Sequence, residues 1–307
     1  MPLVIGVDSS TQSTKVEIRR ADDGALIASA SAPHPPTTPP RSEQDPESWW
    51  SALIAAISEA GRHAPLAEVA AISIAAQQQG LVALDGGGQV IRPAKLWNDT
   101  ESASEIAAMV ERVGPVRFAE SCGSVPTASF VLAKLAWLKH REPRNFQRLA
   151  HALLPHDWIT WRLSGNFVTD RGDASGTAYW SPREGAYRYD LLAMIDDSRN
   201  WSAMVPKVLG PAEPAGTITR EAARALGLKD NVIVGPGTGD NMAGALGIGL
   251  RPRDVAISLG TSGTVYAVSS VATADGSSCH APFSLPRRIP ASRPASAMRY
   301  RSGATGM

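Results

Sequence analysis

Two runs, Gly6-Val7-Asp8-Ser9-Ser10-Thr11-Gln12-Ser13-Thr14-Lys15 and Gly235-Pro236-Gly237-Thr238-Gly239-Asp240, each set one aspartate in a turn rich in glycine and hydroxyls. A third run, Gly260-Thr261-Ser262-Gly263-Thr264, repeats the pattern without the acid. Backbone amides and Ser/Thr hydroxyls in such turns donate to phosphate oxygens, and a carboxylate among them is costly unless it holds a metal ion or its waters. Together they point to one phosphoryl-transfer site. A single turn of this kind reads equally well as a polar hairpin in water; three at strand ends share one explanation. Neither Gly-x-x-x-x-Gly-Lys-Ser/Thr nor Gly-x-Gly-x-x-Gly occurs, so the nucleotide folds marked by those runs lose support.

The elements that must hold these turns follow from periodicity. Residues 3–7 are apolar and 15–18 alternate, which predicts a tight hairpin with Asp8 at its mouth. Strands over 3–7, 14–19 and 25–30 form an antiparallel meander, and the Pro-rich stretch 34–40 is a surface loop. Asp45 as N-cap and Pro46 at the first helical position start a helix whose inner stripe is Trp49, Trp50, Leu53, Ile54 and Ile57. A strand over 69–76 ends at Gln77-Gln78-Gln79-Gly80, and 81–84 with 89–96 form a hairpin ended by Trp97-Asn98-Asp99. Residues 100–162 are mostly helical, a covering layer. The strand 232–234 leads to Asp240, which with Asn241 opens a short helix whose amide end favours negative charge. Residues 254–259 and 264–268 pair around the third turn, so two strand, turn, strand units suggest two related halves. The fold class expected is α/β.

The chain has 307 residues, 43% of them hydrophobic, enough for one large or two ordinary domains. A net charge of +1, from 30 basic and 29 acidic side chains, gives no footprint for nucleic acid or an anionic membrane, and favours small-molecule chemistry. Two cysteines, Cys122 and Cys279, exclude a disulfide scaffold and a four-cysteine zinc site, and six histidines show no metal spacing. With no leader-like segment and no apolar run of membrane-spanning length, a cytoplasmic location is expected.

On the sugar side, amides at Gln77, Gln78 and Gln79 suit hydroxyls and the face of Trp97 suits sugar carbons, although the glutamines also read as a polar strand end and Trp97 as core. His156-Asp157 invites a general-base reading, but Asp157 is better read as the N-cap of a helix over 158–163.

These motifs, with Arg92-Pro93-Ala94-Lys95-Leu96-Trp97-Asn98-Asp99, Leu154-Pro155-His156-Asp157-Trp158 and Thr169-Asp170-Arg171-Gly172-Asp173-Ala174-Ser175-Gly176-Thr177, resemble the FGGY carbohydrate kinases, most closely xylulokinases of actinobacterial type. The resemblance covers about residues 1–276. It implies an actin- and Hsp70-like architecture of two ribonuclease-H-like domains, with sugar bound mainly by the first and ATP by the second. It implies that Asp240 is the base accepting a proton from the ketose hydroxyl, with Asn241 beside it in the sugar site. Asp8 is then the Mg²⁺ ligand, and Thr11, Gln12 and Thr14 with Gly260, Thr261 and Ser262 face the phosphates of ATP. Gln78 and Gln79 match the sugar-contacting pair. Xylulokinases usually carry histidine where Gln79 stands, and glutamine cannot carry charge.

The expected organisation is a complete first domain over 1–245, the first hairpin of a nucleotide domain over 246–275, and an aberrant, unstructured tail over 276–307. That tail has no acidic residue and alternates arginines with prolines, which reads as out-of-frame translation of a GC-rich gene and hence a truncated kinase. The expected activity is phosphorylation of D-xylulose to its 5-phosphate, near background in this chain. Ribulose, glycerol or gluconate are alternative substrates, a non-catalytic sugar-binding remnant or an actin-like ATPase alternative roles, and a homodimer a possible assembly.

Overall fold

The computed structural model describes residues 1–259, 263–269, 274, 276, 281–284 and 297–303. Strands β1 (Leu3–Ser9), β2 (Ser13–Arg20) and β3 (Leu26–Pro33) form the antiparallel meander, with Ser9 opposite Thr14 across the first turn. Helix α1 (Pro46–Ala60) begins where expected: the Asp45 carboxylate accepts the Glu47 amide at 3.0 Å. Its Trp49, Trp50, Leu53 and Ile57 are buried and Ile54 half-buried, packed on the sheet.

The strand Val69–Ala76 runs parallel to β1, and both Ile233–Val234 and Thr238–Gly239 run parallel to it. Gly216–Thr217 closes the far edge of this mixed sheet. Along β1, Leu3, Ile5, Val7 and Ser9 are buried, so the pleat turns Asp8 to the opposite face. A second core, including Phe118, Leu132, Leu135 and Trp201, fills the helical layer of Ala103–Val113, Pro115–Cys122, Val131–Arg141 and Pro143–Arg148. No helix among the described residues is long and apolar enough to cross a membrane.

The hairpin expected over 81–96 is only partly formed. Asp85 and Gln89 close the turn and single bridges join Leu84 to Val90 and Leu81 to Lys95. Val82–Leu84 instead pairs with His151–Leu153, and Ala94–Lys95 with Glu43–Gln44. Pro93 has no amide to give a ladder, which interrupts regular pairing just before the second arm.

Val255–Leu259 and Gly263–Ser269 form the predicted antiparallel hairpin. Ala297–Gly303 and Ala281–Ser284 extend it to four strands, whereas an unstructured tail was expected there. The free edge of a strand offers amides and carbonyls to any extended segment, whatever its side-chain pattern.

Candidate active site

Three parallel strands end at one edge of the sheet: β1 at Asp8 and Ser9, Val69–Ala76 before Gln77, and Thr238–Gly239 before Asp240. The Gln77 amide donates to the Ser9 carbonyl at 3.0 Å, and Thr238 and Gly239 sit opposite Ala75 and Ala76. The carboxyl ends of parallel strands are where an open α/β sheet leaves a crevice.

In the first turn the Ser10 hydroxyl donates to Asp8 Oδ1 at 3.1 Å. Thr11 Oγ1 donates to Gln77 Oε1 at 3.1 Å and accepts from Trp97 Nε1 at 3.0 Å. Trp97 is 38% exposed, which removes the core reading and leaves its indole at the open edge. Gln12 is exposed. Thr14 differs from the expectation of a phosphate-facing hydroxyl: it is buried, 3.2 Å from Ser9 Oγ and 2.8 Å from His34 Nε2, and braces the turn from beneath. Gly260, Thr261 and Ser262 lie outside the described residues.

Sequence reasoning passed over Gln44, which joins these parts. Its Nε2 donates to the carbonyls of Thr11 at 2.9 Å and Pro35 at 2.7 Å, while its Oε1 accepts from Trp49 Nε1 at 2.8 Å. Every partner is distant in sequence or on another element, so no local pattern announces it.

Opposite the first turn, Asn241 Nδ2 donates to Gln78 Oε1 at 2.9 Å and to Asp240 Oδ1 at 3.2 Å, and the Asn241 amide donates to the same carboxylate oxygen at 2.7 Å. Gln78 Nε2 is buried with no partner among the described residues, a donor available to a ligand hydroxyl. Gln79 holds φ at 60°, a left-handed conformation that costs a non-glycine residue about 1 kcal/mol. At Gly239 a Cβ would stand 2.6 Å from the Gln78 side chain, so only glycine lets the two strands close.

Burial, with repulsion from Asp173 and Asp8, pushes the Asp240 carboxyl up to about 7. Neither Asp8 nor Asp240 forms an ion pair with a lysine or arginine among the described residues. Carboxylate and hydroxyl oxygens with uncompensated charge are the donor set a hard divalent cation takes. A carboxylate poised near neutrality can also take a proton from a hydroxyl.

Beneath this edge lies a cluster from which the sequence reading took only Asp157, as a helix cap. His156 Nδ1 is 2.7 Å from Asp173 Oδ2, and its Nε2 is 3.2 Å from Asp157 Oδ1. Burial opposes the imidazolium, but the charges of Asp157, Asp173 and Asp170 outweigh it and hold its pKa at about 9. Asp157 is not the helix cap expected. The helix is Pro155–Ser164, and Asp157 lies in its first turn, its Oδ2 accepting the Leu154 amide at 2.8 Å. Proline at the first helical position moved the start three residues earlier than the apolar spacing did. Two charged residues inside the apolar run Leu153–Ile159 were the available signal of a buried ionic group.

The sequence profile of the FGGY family of carbohydrate kinases, N-terminal domain, matches residues 3–247. The chain belongs to the FGGY family of carbohydrate kinases. Among family members, it is 46% identical over 275 residues to the xylulose kinase of Streptomyces rubiginosus, an alignment covering 89% of this chain and 56% of that protein. The xylulose kinase of Escherichia coli is 35% identical over 298 residues, with 93% and 59% covered. The crystal structure of xylulose kinase from Bifidobacterium adolescentis superposes with a TM-score of 0.86 at 36% identity, covering 97% of this chain and 64% of that one. The family fold is therefore the actin-like one of sugar kinases, and the chain spans little more than half the length of the curated relatives it matches.

Proposed function

We propose that this chain binds D-xylulose at the strand-end cleft and supplies Asp240 as the base for its ATP-dependent phosphorylation to D-xylulose 5-phosphate. One observation carries the reading: a carboxyl raised to about 7 shares Asn241 with Gln78, whose own amide nitrogen is buried without a partner among the described residues. The names of the relatives supply the sugar.

In this mechanism Gln78 and Asn241 orient the ketose through its hydroxyls, with Trp97 against its carbons and Gln79 at the strand end. Asp240 accepts the proton of the attacking hydroxyl as its oxygen bonds to the γ-phosphorus and the bond to ADP breaks; the proton then leaves from Asp240 to water. Thr11 and Gln12, with Gly260, Thr261 and Ser262, serve the phosphates. Asp8 would hold Mg²⁺, which neutralises charge on the phosphates when bound. Phosphoryl transfer depends on such positioning and charge neutralisation more than on covalent chemistry. A cytoplasmic location and a homodimer complete the reading; the exposed apolar Val255, Ile257 and Val265 support self-association.

Calorimetry with D-xylulose, D-ribulose, glycerol and gluconate, beside a coupled assay with ATP, tests it. Saturable binding of D-xylulose above the other three, with ATP-dependent phosphorylation near background that Asp240→Asn abolishes, is the expected outcome. Binding without turnover in the unaltered chain selects a sugar-binding role, and sugar-independent ATP hydrolysis rejects the sugar kinase altogether.

A further inference from the structure

Asp170 ends the strand Val168–Asp170, and its carboxylate accepts the amides of Gly172 at 2.8 Å and Asp173 at 2.9 Å. Those two bonds are all that a cap of the short turn Arg171–Ala174 requires. A third bond reaches across 68 residues of sequence: Thr238 Oγ1 donates to Asp170 Oδ2 at 2.9 Å. Thr238 stands two residues before Asp240 on the strand that delivers it.

We propose that Asp170 is a positioning residue, which through Thr238 fixes the strand Thr238–Gly239 and thereby sets where the Asp240 carboxylate stands in the cleft. The proposal rests on the reading of Asp240 as the base. Asp170 and Thr238 are 1% and 7% exposed, so little water competes for the bond, and leaving either buried group unpaired would be costly. Burial pushes the Asp170 carboxyl up, and the charge of His156, whose Nε2 lies 3.9 Å away, works against that shift. The turn before Thr238 rests directly on that imidazole: a Cβ on Gly237 would come within 2.6 Å of His156 Cδ2 and 2.8 Å of the Ile74 carbonyl. A buried ionic cluster is a poor source of stability, because desolvation offsets most of its attraction. What this one provides is a fixed point beneath the base.

Thr238→Val removes the hydroxyl while keeping the shape, and Thr238→Ser keeps the hydroxyl. The readouts on the full chain are amide hydrogen exchange at residues 239–241, D-xylulose affinity, and the thermal midpoint. Thr238→Val is expected to speed exchange at those amides by about tenfold and weaken D-xylulose by a similar factor, the worth of one such bond. Thr238→Ser is expected to restore both, with equal thermal midpoints in the two variants. Wild-type exchange in Thr238→Val, or equal losses in both variants, overturns the proposal. If the unaltered chain binds no D-xylulose while Thr238→Val still loosens residues 239–241, the tether stands and the substrate reading fails.

Discussion

Around Lys95, the carboxylates of Glu43 and Asp99 approach one buried ammonium at 3.2 and 3.1 Å, Glu101 joins them, and the ring of Trp137 closes the group 3.9 Å from the nitrogen. At the strand ends, Asp8 and Asp240 repel each other, and neither has an ion-pair partner among the described residues. The first group contains more acids, and its carboxylates lie close enough together to suggest a cation site. The lysine already holds that position, with Arg92 pairing Glu43 and Glu142 at its flank. The contrast teaches that the number of acidic residues says little; what marks chemistry is charge the fold leaves without a partner.

The largest effect should come from breaking the compensated group. Lys95→Met leaves three carboxylates around a buried apolar side chain, and urea unfolding should report a loss of about 3–5 kcal/mol. The uncompensated group should behave in the opposite sense. Asp240 is raised in the folded state, so its contribution to stability is complete below the unfolded carboxyl value and is lost as pH rises through about 7. Asp240→Asn should therefore unfold later than the unaltered chain above pH 7, by about 1–2 kcal/mol after allowing for solvent contact, and the difference should vanish near pH 4. With Asp240 as the proposed base, any turnover should rise through the same range, because that reading requires it ionised. Magnesium sharpens the comparison further. At a concentration tenfold over its dissociation constant it should raise stability by about 1.4 kcal/mol, an increment absent in Asp8→Asn and unchanged in a variant of Glu101. The smallest effect concerns Gln79. Gln79→Gly should gain about 0.5–1 kcal/mol by relieving the left-handed backbone, and calorimetry should show weaker discrimination among sugars.

What the sequence revealed was whatever a few neighbouring residues decide. The β1–β2 turn, the Asp45 cap, the strand Val69–Ala76 and the helix opening at Asp240 all carry their signals within a handful of positions. The turns around Asp8 and Asp240 could be grouped by their shared composition, but individual side-chain contacts between distant segments were not legible. Gln44 looks like any loop glutamine until the fold places Thr11, Pro35 and Trp49 around it. Thr14 lies in a run of hydroxyls that all read alike, and only the pleat of β2 turns it inward. Thr169 to Asp173 read as a motif without a task, because the partner of Asp170 is Thr238.

The parallel pairing of Thr238–Gly239 with Val69–Ala76 has a mechanical consequence. Gln78 and Asp240 leave from the ends of the same two hydrogen-bonded strands, so no hinge can part them without tearing the ladder. On the proposed reading, a sugar entering the cleft would meet a wall already assembled, and its association should proceed with little backbone movement and no slow rearrangement step. If the proposed nucleotide binding involves a motion, the paired strands predict that it falls beyond the helix Asp240–Gly247, with Gln78 and Asp240 travelling as one rigid piece.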